Sequence, residues 1–297
     1  MTGAPALRAL TSPPCARADP WCTVSPVWEP PSADAPGQTA GLTPALTGAS
    51  ELLLAALTFF CGLSLVLGVP GLQAAIFGLL DAVFGRPALD PEKIRQAHAV
   101  VLTPLATLVA AFLYRGVGRW LDHRLDHHHH LDSSPAPPEQ PWPRSDVRDS
   151  AAQVALHLLV AVAGSYLLAV LMHLLGAPVV EQGLVLELTA SGDLRRPELA
   201  ILCFSALVLA PVGEELFFRG QLLRRTWRRG GPLAAYLASA FLFAAFHGNL
   251  QGFVVYAWLG LVFAHVHART GRLSAAVAVH LGNNAVTLAI LLLVPPT

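Results

Sequence analysis

Two adjacent carboxylates, Glu214 and Glu215, stand inside an apolar run that begins near Leu199, with Arg219 just behind them. A run this apolar reads as a membrane helix, and a charge in hydrocarbon costs about 2.5–3.5 kcal/mol on insertion scales. Three ionisable residues so close together must meet partners inside the protein or a water-filled cavity. That requirement constrains the fold more than anything else in the chain. It calls for an all-α, polytopic membrane bundle in which other helices bring polar side chains to the depth of Glu214.

The composition agrees. Of 297 residues, 54% are hydrophobic and 13% charged, against about 25% charged in a soluble domain. The formal net charge is zero, so nothing points to nucleic acid. Lys93 is the sole lysine, and the richness in Ala, Leu, Gly and Pro suggests a GC-rich bacterial genome. Cys61 and Cys203 fall in apolar helices and read as lipid- or core-facing. Cys15 and Cys22 match no zinc-binding spacing.

Residues 1–49 are rich in Pro, Ala, Ser, Thr and Gly and read as a disordered tail with no signal-peptide core. Residues 50–114 hold the first membrane helices. A span over Glu51–Val69 has Ser50 as its N-cap, and a second covers Gln96–Tyr114, kinked at Pro104. Between them Gly71–Phe84 is short for a span and reads as interfacial or re-entrant. Residues 115–150 form a polar cytoplasmic linker. Its His127–His130 run reads as solvated, because four consecutive histidines cannot all face one ion on a helix.

Residues 151–297 form the core, with spans at Ala151–Leu175, Glu198–Trp227, Pro232–Asn249, Gln251–His267 and Arg272–Val294. The total is about seven spans, or eight if Gly71–Phe84 crosses. Arg224, Arg225, Arg228, Arg229, Arg269 and Arg272 fall on one side, together with Arg115, Arg119, Arg124, Arg144 and Arg148. By the positive-inside rule that side is the cytoplasm, with the N-terminus in it and the C-terminus outside, in a bacterial inner membrane. His157 and His173 read as packed or helix-end histidines, and His265 and His267 as interfacial.

Depth matching then selects a constellation. Glu214 lies about 16 residues before the turn at Gly230–Gly231 and His247 about 16 after it. In an antiparallel hairpin both stand roughly 24 Å from the turn. His280 and Asn284 are i, i+4 on the last helix, and Glu215 and Arg219 are i, i+4 in the favourable order. Two chemistries fit. Glu214 with His247 can activate a water as general base, with His280 and Asn284 donating to the oxyanion of a tetrahedral intermediate. Alternatively, Glu214, His247 and His280 hold a zinc ion that activates the water. The HExxH pattern is absent, so the metal-free route, which needs no cofactor, is preferred.

These residues also carry a resemblance. EELFFR, with Glu214, Glu215 and Arg219, resembles the EExxxR motif of the CPBP family of intramembrane proteases. That family includes type II CAAX prenyl endopeptidases and bacterial bacteriocin-processing or self-immunity proteins. FAAFH, Phe243 to His247, resembles its FxxxH motif, and HLGNN, His280 to Asn284, its HxxxN motif. All three stand in the family's order on consecutive apolar helices, within residues 198–290. The resemblance implies an endopeptidase acting on a membrane-associated protein or peptide. Glu214 would be the catalytic glutamate, His247 its partner, His280 and Asn284 the oxyanion site, and Glu215 with Arg219 supporting. It does not imply a prenylated substrate. The rival readings are an inactive membrane scaffold or immunity-type protein, and a proton-coupled transporter. Against the transporter, the sequence shows no inverted repeat and few broken helices.

Overall fold

The computed structural model describes residues 44–84, 91–126, 145–179 and 196–293, and every regular element among them is a helix. Cys15 and Cys22, the His127–His130 run and the loop at 180–195 lie outside the described residues. Four helices come first: α1 (Pro44–Gly68), α2 (Pro70–Phe84), α3 (Pro91–Asp126) and α4 (Val147–Leu174). A long composite rod follows. It consists of α5 (Arg196–Phe204), a π turn at Ser205–Leu209, α6 (Ala210–Phe217), a second π segment at Phe218–Leu223, and α7 (Arg224–Phe246). The chain closes with α8 (Phe253–Thr270) and α9 (Leu273–Leu293).

Two expected boundaries move. Ser50 is not an N-cap, because α1 begins at Pro44, where a missing N–H costs nothing in the first turn. The linker expected from Arg115 begins only after Asp126. The added turns of α3 are pinned by Asp122, whose carboxylate accepts from Arg225 Nη1 at 2.7 Å.

The rod folds back where the sequence places its turn. Gly231 has φ +80 and ψ 178, outside helical space and costly for a residue with a Cβ. The rings of Phe217 and Phe246 are 6.2 Å apart, whereas a straight helix would separate them by about 43 Å. Pro232 follows directly and restarts the helix.

Among the described residues five stretches are long and apolar enough to cross a membrane: Ala49–Gly68, Val100–Arg124, Val147–Leu174, Leu199–Phe246 and Leu273–Leu293. Seven to eight crossings are expected from the sequence. The difference has three sources. The 48-residue stretch doubles back at Gly231 yet counts once, α8 carries His265, His267 and Arg269, and α2 is only 15 residues long. α1 and α3 run antiparallel, with Glu51 bonded to Tyr114, Gly62 against Ala106 and Ala110, and Val66 clustered with Leu102 and Ala106. α2 packs near the Val66 and Leu102 end through Ile76 and Phe77.

Small residues bring these helices together, as is usual where lipid removes the hydrophobic drive for association. A Cβ at Gly62 would lie 2.6 Å from the Ala106 carbonyl oxygen, and one at Gly213 2.9 Å from that of Pro104. The Gly213 contact sets α6, and with it Glu214, directly on α3.

A charge cluster absent from the sequence reading locks one end of the bundle. Glu51 of α1 is buried at 1% exposure. It accepts from Tyr114 Oη at 2.6 Å, from Arg225 Nε at 2.9 Å and from Arg229. Arg225 and Arg229 also reach Asp122, so two carboxylates balance two guanidiniums. Removing one member of a buried pair strands the other. Glu51→Ala is therefore expected to cost about 3–5 kcal/mol, read as a fall in Tm in detergent. Asp122→Ala, whose carboxylate is 37% exposed, should cost less than about 1 kcal/mol.

Candidate active site

The site is built where α6, the end of α7, α8 and α9 meet. Glu214 and Glu215 are consecutive on α6 and diverge by roughly 100°, so each serves a different partner set. Glu215 turns inward and is fully buried. Its Oε1 accepts from Arg219 Nη1 at 2.8 Å and from His280 Nδ1 at 2.9 Å. Arg219 is also fully buried, and its Nη2 donates to the Gly260 carbonyl at 2.9 Å. The guanidinium lies over the rings of Phe243 at 4.6 Å and Phe263 at 5.3 Å, within cation–π range. A charge with no solvent thus meets a carboxylate, a carbonyl and aromatic faces.

Glu214 faces the more open side, with 17% of its side chain exposed. Its Oε2 lies 4.0 Å from His247 Nε2 and 4.0 Å from His280 Nε2. That oxygen makes no direct hydrogen bond among the described residues. Both rings are oriented from behind. His247, which caps α7, donates through Nδ1 to the Phe243 carbonyl at 2.6 Å and stacks on Tyr256 at 4.1 Å. A carbonyl can only accept, so Nδ1 carries the proton and Nε2 is the basic nitrogen of the neutral ring. His280 stacks on Phe263 at 4.6 Å and donates through Nδ1 to Glu215, which Arg219 also bonds. Both Nε2 atoms therefore point at one oxygen of Glu214.

Asn284 lies one turn beyond His280, as the i, i+4 spacing requires. Its Nδ2 donates to the Ala206 carbonyl at 2.9 Å, so one amide hydrogen is spent on the main chain of the first π turn. Five of the six residues singled out from the sequence are joined by these contacts, Glu214, Glu215, Arg219, His247 and His280, while the side chain of Asn284 is engaged by the Ala206 carbonyl. Phe243, the first residue of the FAAFH motif, packs its ring against the Arg219 guanidinium. Asn249 accepts from the Gly252 N–H at 3.0 Å and shapes the short turn between α7 and α8.

His267, expected at the interface, is instead fully buried, while His265 bonds Tyr236 at 3.2 Å. Sequence reasoning passed over Tyr256, Gly260 and Phe263. Their i, i+4, i+7 spacing marks one face of α8, and that stripe was the available signal.

Ligands of a tetrahedral zinc at 2.0–2.2 Å stand about 3.3 Å apart, closer than the 4.0 Å gaps from Glu214 to both imidazoles. Among the described residues no three His, Cys, Asp or Glu side chains are placed to hold a metal ion. In this arrangement the trio does not fit zinc.

Residues 196–286 match a family model described as Type II CAAX prenyl endopeptidase Rce1-like. The match supports CPBP membership and contains all six residues. No curated protein and no solved structure matches the chain.

The geometry makes Arg219 irreplaceable by the other cation. Arg219→Lys keeps the charge but cannot span Glu215 and the Gly260 carbonyl together. It is expected to lower stability by about 1–3 kcal/mol, measured by thermal unfolding in detergent.

Proposed function

Taking residues 196–286 as a CPBP-family segment, we propose that the chain is an intramembrane endopeptidase that hydrolyses a peptide bond of a membrane-associated protein or peptide. The observation that carries this reading is the single Glu214 oxygen equidistant, at 4.0 Å, from two imidazole nitrogens. That separation is too long for a direct hydrogen bond and suits one bridging water.

The steps follow from the proton positions. Glu214 takes a proton from the water as general base while His247 Nε2 accepts its second hydrogen and aims it. The hydroxide attacks the scissile carbonyl carbon. His280, charged and held by Glu215 through Nδ1, donates through Nε2 to the oxyanion, joined by the second amide hydrogen of Asn284. Glu214 then returns its proton to the departing amine. No step passes through a metal.

For the topology, the hairpin at Gly231 counted as two passes and α8 as another turn the five apolar stretches into seven crossings. Arg225, Arg229 and Asp122 gather at one end with the start of α1. The α8–α9 turn joins them there, because Ala268 packs against the cluster of Leu223, Ala235 and Ala264 that Trp227 also packs against. The positive-inside rule favours that end, with the N-terminus, as the cytoplasmic one, and the Ala-, Leu-, Gly- and Pro-rich composition supports a bacterial inner membrane.

The test is cleavage of labelled membrane-anchored peptides in liposomes. Glu214→Gln and His280→Ala are each expected to lose about 10²–10⁴-fold in rate, and a chelator to leave wild type unchanged. Loss of activity with chelator would overturn the metal-free mechanism. Equal cleavage by wild type and both variants would sink the site assignment.

A further inference from the structure

The π turn at Ser205–Leu209 sits two helical turns before Glu214. In it the Ala210 N–H bonds back five residues, to the Ser205 carbonyl. The same wide frame assigns the Ala206 carbonyl to the residue five further on, which is Pro211 and has no N–H. That carbonyl has lost its main-chain donor, and the donor that reaches it is Asn284 Nδ2, at 2.9 Å from a different helix. We propose that Asn284 is a positioning residue: one of its amide hydrogens stands in for the backbone N–H that Pro211 lacks and holds the π turn that sets the direction of Glu214.

The consequence for Glu214 is geometric. A π turn admits one extra residue and rotates all that follows by roughly 100° relative to an uninterrupted α-helix. Relaxation of the turn would swing the α6 carboxylates away from His247 and His280. The opposite flank of the turn is anchored in the same way. Pro104 deprives the Val100 carbonyl of its donor four residues on, and Ser205 Oγ donates to it at 2.5 Å. Ser205 is 1% exposed and carries no charge, so nothing else commends a hydroxyl there. The first π residue is thus tied to α3 and the second to α9, each through a carbonyl that a proline has vacated.

The inference rests on the proposed function only in taking Glu214 as the base, and its primary test needs no activity. Pro211→Ala restores an N–H at that position. Thermal unfolding in detergent is compared for wild type, Asn284→Ala, Pro211→Ala and the double variant. Asn284→Ala is expected to lower Tm by about 4 °C on the wild-type background and by less than about 1 °C on the Pro211→Ala background. Additive shifts would overturn the proposal. If Asn284→Ala alone fails to fold, recovery of folded protein by Pro211→Ala supports it, and failure of both to fold overturns it.

Peptide cleavage supplies the second readout. Asn284→Ala should lower kcat with KM unchanged, and adding Pro211→Ala should recover about ten-fold of that loss. Thermal coupling without any recovery of kcat would refute a positioning role for Asn284, and would leave the Glu214 and chelator results to judge the protease reading separately.

Discussion

A guanidinium sealed from solvent has to be neutralised where it stands, and at Arg219 three helices are committed to that task. Glu215, one turn earlier, supplies the charge, α8 supplies the Gly260 carbonyl and the Phe263 face, and α7 supplies Phe243. The carbonyl is reachable because α7 and α8 touch. A Cβ at Gly260 would lie 2.8 Å from the Ala240 Cα. The Glu215 oxygen that holds Arg219 also holds His280, so the cation that stabilises the bundle fixes the ring that faces Glu214. Stability and site geometry share one set of bonds, and neither can be altered without the other.

Much of this was legible because it depends on counting along helices. The i, i+4 pairs Glu215–Arg219 and His280–Asn284 follow from helical period, and the pairing of Glu214 with His247 follows from equal distances to the turn at Gly231. What escaped depends on contacts that no period encodes. Glu51 and Arg225 are 174 residues apart, and neither looks unusual in its own segment, since each reads as an interfacial charge at the end of a span. The wide turn at Ser205–Leu209 also has no periodic signature, although Pro211 was a hint that the donors around it would be rearranged. His267 seemed interfacial from its neighbours Arg269 and His265, but the face of α8 on which it lies is covered.

The family match ends where the site's chemistry ends, yet the support extends further. Phe59 of α1 stacks on Phe246 at 4.0 Å, immediately before His247. Tyr114 of α3 lies against Phe217 at 5.8 Å while its hydroxyl bonds Glu51. α1 and α3 therefore pack against both the α6 and the α7 sides of the hairpin that carries Glu214 and His247. The matched segment holds those two residues, and helices outside it pack against their supports.

The Glu51–Arg225 pair also has a history in time. A ribosome making about 5–20 residues per second needs roughly 9–35 s to add the 174 residues between them. During that interval α1 enters the bilayer with a carboxylate that has no cation to meet. Tyr114, 63 residues on, is the earlier of its partners to emerge and offers a hydroxyl long before a guanidinium is available. The order of synthesis thus leaves Glu51 without its guanidinium partners until the first residues of α7 have been made.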